Sequence, residues 1–109
     1  MLDIVGCIGM KGVVLGERYK EKDAYDIFSV ISQCLDNPGA VAQVVRPFQT
    51  EESMVLGIKN IRDKFRAIDA EGPSWVGAFL SSGDEEQRKR DQAESYALVR
   101  RFLRELDAP

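Results

Sequence analysis

The stretch from Met10 to Asp26, MKGVVLGERYKEKDAYD, sets four cations (Lys11, Arg18, Lys20, Lys22) among four carboxylates (Glu17, Glu21, Asp23, Asp26). On one continuous helix Lys11, Arg18 and Lys22 would share a face, being seven and then four residues apart. A row of cations ending at a carboxylate suits a metal–triphosphate site. The cations hold phosphate oxygens, and the carboxylate orients a hydroxyl or takes its proton. The same residues admit a local reading. Asp23 can be an N-cap with Asp26 at the third helical position, both favourable to the helix dipole, while Lys20 and Lys22 solvate a loop.

Other candidates are weaker. Gly6, Gly9, Gly12 and Gly16 recur every three or four residues. They suit a backbone face on which another helix packs closely, and no phosphate-cradling glycine pattern accompanies them. Asp69-x-Glu71, Asp84-x-Glu86 and Glu105-x-Asp107 are spaced like metal ligands. On helices, residues two apart point away from each other. Trp75, Val76, Phe79 and Leu80 read as core, with a partner groove as the alternative. Cys7 and Cys34 sit among apolar neighbours and are expected to be buried, inert thiols. Arg100, Arg101 and Arg104 form a basic spot that complements the dipole at a helix C-terminus.

Composition narrows the chemistry further. The 109 residues include no histidine, which removes His-based triads and His-ligated metals. Fifteen basic and 18 acidic side chains leave a net charge of −3, which disfavours nucleic acid as a partner. Two cysteines 27 residues apart match neither a zinc spacing nor a disulfide framework, so a reduced, cytoplasmic protein is expected. The uncharged run from Ile4 to Met10 is far shorter than the roughly 18–20 residues a bilayer requires, and no membrane association is expected.

The elements that must position these residues are helical. Met54, Ile58, Ile61, Phe65 and Ile68 step by four and three, as do Ala24, Phe28, Ile31 and Leu35, and Tyr96, Val99, Leu103 and Leu106. Asn37-Pro38-Gly39, Arg46-Pro47 and Gly72-Pro73 punctuate them. Thr50 is the predicted cap of one helix, Pro73 the first residue of the next, and Ser82-x-x-Glu85 a capping box for the last. In that last helix Asp84, Glu85 and Glu86 each precede a cation by four residues. The predicted helices cover 2–18, 24–36, 39–46, 51–69, 73–81 and 84–106. They make one all-α domain, 1–109, a compact bundle of five or six helices with no significant sheet.

The run Lys11-x6-Arg18-x-Lys20-x-Lys22-Asp23-x-x-Asp26 resembles the C-terminal motif of AbiEii-like nucleotidyltransferases, relatives of the minimal nucleotidyltransferases and of abortive-infection toxins. Pro38-Gly39, the helix ending near Phe65, and Gly72-Pro73 followed by Val76, Phe79 and Leu80 extend the similarity over most of the chain. The resemblance implies that Lys11 contacts nucleotide phosphates, with Arg18 and Lys22 in support. It implies that Asp23 faces the reacting hydroxyl or orders the site, and that Asp26 braces the helix start. It places Mg²⁺, a nucleoside triphosphate and the catalytic carboxylate pair in an N-terminal α/β part that this chain does not contain. The chain is then expected to be the helical C-terminal portion of a longer protein, inactive alone, with an antitoxin-like partner or self-association possible in that family. The alternative is a standalone helical interaction module, a homodimer or cognate-partner binder, using the glycine face or the Trp75–Leu80 patch.

Overall fold

Apolar residues spaced three and four apart become the buried stripes of an all-α bundle. The computed structural model describes residues 4–17, 21–33, 38–81 and 83–108. Among the described residues there are six α-helices and no strand: α1 Ile4–Glu17, α2 Glu21–Gln33, α3 Pro38–Val45, α4 Glu52–Lys64, α5 Glu71–Leu80 and α6 Glu85–Asp107, with a short 3-10 turn at Arg46–Phe48. The Cα radius of gyration, 12.8 Å, is that of a compact chain of this length. No helix among the described residues is long and apolar enough to cross a membrane.

The most extensive packing is α1 against α4, followed by α6 against α5 and α3, and α2 against α5 and α1. Ile8 and Leu15 of α1, Ile27 and Ile31 of α2, Val41 and Val45 of α3, Ile61 of α4, Val76 of α5 and Phe102 and Leu103 of α6 meet in one core. Three of the predicted stripes are thus the buried faces of α2, α4 and α6, although Leu35 lies outside the described residues.

Gly9, Gly12 and Gly16 of the glycine face pack against α4, while Gly6 is exposed. A Cβ on Gly12 would sit 2.5 Å from the backbone carbonyl oxygen of Gly57, and one on Gly57 would sit 2.8 Å from that of Gly9. The two backbones can come this close only because neither residue has a side chain. At Gly16 the vacant Cβ position is taken by the Asn60 amide. That amide donates to the Gly12 carbonyl at 3.0 Å, a polar contact that sets the axial register of the pair.

Several boundaries differ from those expected. Helix α4 ends at Lys64, because Phe65 leaves helical geometry and Gly72 packs directly on its ring, where a Cβ would lie 2.6 Å from the ring carbons. Ile68, assigned to the stripe, is therefore half exposed. Pro73 is the third residue of α5, not its first, and Ala70 precedes that helix without a side-chain cap. Glu51, not Thr50, holds the N-cap position of α4. Asp84 caps α6 by accepting from the Gln87 N–H at 3.1 Å, and Ser82 lies outside the described residues. With Asp84 used in this way, the (i, i+4) pairs that close on α6 are Glu85–Lys89 and Glu86–Arg90, both at 3.8 Å.

The helix contact predicts its own sensitivity. Gly12→Ala and Gly57→Ala should each destabilise the protein by about 1–3 kcal/mol through overpacking of backbone on backbone. Gly83→Ala, whose new methyl meets nothing within 4 Å, should change stability by less than about 0.5 kcal/mol. Urea unfolding of the three variants checks this ordering.

Candidate functional site

The charged stretch of residues 10–26 folds into a junction between two helices. Lys11 projects from the middle of α1, while Lys22, Asp23 and Asp26 lie in the first two turns of α2. The Lys11 ammonium lies 3.4 Å from Asp23 Oδ1 and 3.0 Å from Asp26 Oδ2. Lys22 Nζ reaches the same Asp26 oxygen at 3.3 Å. Burial grades across the cluster. The Asp23 side chain is 2% exposed, Asp26 20%, Lys11 23% and Lys22 67%.

Two sequence expectations change here. Lys11 and Lys22 do not share one helix, because α1 ends at Glu17 and α2 begins at Glu21; Arg18 lies outside the described residues. Asp23 is not an N-cap but the third residue of α2, and Asp26 is the sixth. The first-turn position still favours the Asp23 carboxylate through the positive end of the helix dipole. What the local pattern missed is its ion partner, Lys11, 12 residues earlier on another helix. Asp26 does more than brace the helix start, since it bridges both lysines.

The Lys11 amine is held above its ordinary range. The main cause is the hydrogen bond to Asp26, with the charges of Asp26 and Asp23 adding and burial opposing. A raised lysine pKa means that this stabilisation is present in full at neutral pH and is lost only as pH climbs past the ordinary lysine value. An ammonium has three N–H donors. Two point at Asp23 and Asp26, which leaves one for a further acceptor. The arrangement is a pre-oriented cation at the edge of the fold, tethered from beneath by a buried carboxylate.

The remaining candidates separate into structural and surface groups. Glu71 is engaged by Lys64 at 3.1 Å and Arg66 at 3.0 Å. Its carboxyl is lowered to about 2, first by a hydrogen bond from its own backbone and then by Lys64. Asp107 is held low by its hydrogen bond to Arg62, at 2.7 Å through Nη1. Asp84 is a helix cap. Among the described residues no group of three or more His, Cys, Asp or Glu is gathered as a metal ion would need. Trp75 is half buried beneath the Lys64 ammonium, 5.9 Å from its ring centroid, and Val76 is fully buried. Phe79 and Leu80 are each 43% exposed, so only part of that segment is core. Phe79 stacks on Tyr25 of α2 at 4.7 Å between ring centroids. Cys7 is half buried rather than buried, and Cys34 lies outside the described residues. Arg100 and Arg104 line a shallow surface depression with Tyr96 and Ala97, and Arg101 is exposed beside them.

One feature went unread in the sequence: an open apolar groove between α1 and α4, lined by Val5, Gly9, Met10, Val13 and Met54 with Glu51 at its rim. Its signal was the excess of apolar residues on α1, where Lys11 and Glu17 are the only charged positions, and the Val55–Leu56 pair beside the α4 stripe. Comparison with protein-family models, curated proteins and solved structures returns no match.

Two measurements follow from the ion pairs. Asp23→Ala should cost about 1–3 kcal/mol, since it removes a buried acceptor and strands part of the Lys11 charge. Asp26→Ala should cost less than about 1 kcal/mol, as its pairs are wetter; urea unfolding at pH 7 ranks them. Glu71 has a depressed pKa, so its contribution is present above pH 4.5 and is lost as pH falls towards about 2. In Glu71→Gln the decline in melting temperature across that acid range should be shallower than in the parent.

Proposed function

We propose that this chain is the helical, substrate-closing part of an AbiEii-like nucleotidyltransferase, and that it contributes cations to a nucleotide-binding cleft completed by residues outside it. Lys11 and Lys22 take phosphate oxygens, with Arg18 assigned to the same role by its place in the motif. Asp23 acts as a positioning residue that aims Lys11, and Asp26 tethers both lysines. The observation that supports this reading is the meeting of Lys11 with Asp23 at 3.4 Å across two helices, with Lys11 left partly open to solvent.

Nucleotidyl transfer needs carboxylates free to grip metal ions. Asp23 and Asp26 are engaged by lysines, so these residues do not fit that role, and Mg²⁺ belongs with the other part of the longer protein. The chain's contribution is electrostatic: fixed ammonium groups placed where phosphate charge lies. Lys22 is mostly exposed and fits direct contact, while Lys11 is the better oriented of the two.

A nuclear magnetic resonance titration of the isolated chain with ATP tests the reading. Weak saturable binding, with Kd on the order of 1 mM, should move the side-chain signals of Lys11 and Lys22. Lys22→Ala should weaken binding at least threefold with an unchanged melting temperature, because its exposed pair with Asp26 contributes little to stability. Adenosine, which lacks phosphates, should move neither lysine. Unmoved lysine signals at 10-fold the expected Kd (about 10 mM ATP) would overturn the reading.

A further inference from the structure

On the flank of α1 away from Lys11, the groove against α4 leaves large apolar side chains in water. Met10 is 50% exposed and Leu56 45%. Two adjoining depressions, of about 420 and 730 Å³, share Val13 and Glu51. The floor is low because Gly9 has no side chain, and the Met54 methyl would lie only 3.4 Å from a Cβ placed there. From Val5 to Val13 the trough follows α1 for eight residues, roughly 12 Å, which is about two helical turns. Met10, flexible and half exposed, lets the α1 wall adapt to an apolar insert.

The charge around this trough selects its occupant. Among the described residues, Glu51 and Glu52 are the charged side chains that line it, and both are acidic. A second copy docked about a two-fold axis would bring four such carboxylates together on chains that each already carry −3. An anionic lipid surface would meet the same repulsion. A cationic partner meets attraction. We infer that the α1/α4 groove docks an amphipathic helix of a partner protein, with apolar residues at i, i+3 or i+4 and i+7 and a lysine or arginine edge facing Glu51 and Glu52. This surface shares no residue with the proposed phosphate site, so either can fail without the other.

The probe is a synthetic 14-residue leucine–lysine helix, titrated into the isotope-labelled chain beside a leucine–glutamate twin of the same apolar pattern. The lysine peptide should bind, moving the signals of Gly9, Val13 and Met54, and the glutamate peptide should not. The double variant Glu51→Gln/Glu52→Gln should weaken binding at least fivefold. Glu85→Gln/Glu86→Gln removes the same charge from the start of α6, and should leave binding within twofold. Met10→Ala, at an exposed position that leaves the core untouched, should weaken it at least threefold. The proposal is overturned by equal binding of both peptides, by equal loss in the α6 control, or by groove signals that stay still while others move. Concentration-dependent dimerisation without peptide, or binding to anionic vesicles in place of the peptide, would overturn it as well.

Discussion

Contact between the backbones of α1 and α4 at Gly12 and Gly57 determines what every other face of α1 can do. Each residue turns the helix by about 100°. With Gly9, Gly12 and Gly16 turned to α4, Ile8 and Leu15 point into the core, Lys11 points to the start of α2, and Met10 and Val13 point to the opposite flank. A one-residue rotation would drive a side chain into the Gly57 backbone and pull Lys11 away from Asp23. The Asn60 amide on the Gly12 carbonyl resists sliding along the axis. Packing thus fixes both rotation and register, and the charged cluster and the groove are consequences of that placement.

The ion pairs differ in what they contribute. Arg62–Asp107 joins α4 to the end of α6 with both side chains substantially exposed, so solvent and salt screen it and it contributes little. Lys64, Arg66 and Glu71 surround the turn between α4 and α5, with the Lys64 side chain 11% exposed and its head over Trp75. Among the described residues, Asp23 alone is an almost completely buried carboxylate. Burial makes its loss expensive, because it removes a buried acceptor that water cannot readily replace. The same burial holds the Asp23 carboxylate inside the fold, where it fixes the Lys11 ammonium. Of the two carboxylates on Lys11, Asp26 is the wetter, and Asp23 is the buried tether.

The helices were legible in the sequence because their buried faces obey a three-and-four spacing that needs no knowledge of partners. Met54, Ile58, Ile61 and Phe65 all read correctly and are buried. The glycine repeat was legible for the same reason, as a backbone face suited to close packing, and Gly9, Gly12 and Gly16 pack on α4. Features made by two elements were not. Asp23 and Asp26 carry a local pattern shared by a helix cap and an ion cluster, and the deciding partner lies one helix away. The end of α4 depends on Gly72 meeting the Phe65 ring, a contact that no window centred on α4 contains. The groove is likewise a property of α1 and α4 together, visible in the sequence only as apolar residues left over after one face has been filled.

Glycine in α1 also makes its helicity conditional. Four of its 14 residues are glycine, each less favourable than alanine by up to about 1 kcal/mol in a helix interior. With Lys11 and Glu17 as its only charged residues, α1 has no (i, i+4) ion pair to offset this. Tertiary contact must supply the difference, through the α4 backbone on one side and the core on another. Lys11 is therefore oriented only while α4 is docked, although the two share no charge interaction. Any group that fills the groove adds apolar contact to the same weak helix, and any group that binds Lys11 does so from its other flank. Both surfaces draw on one conditional helix, so the glycine contact that makes α1 possible is also what joins them.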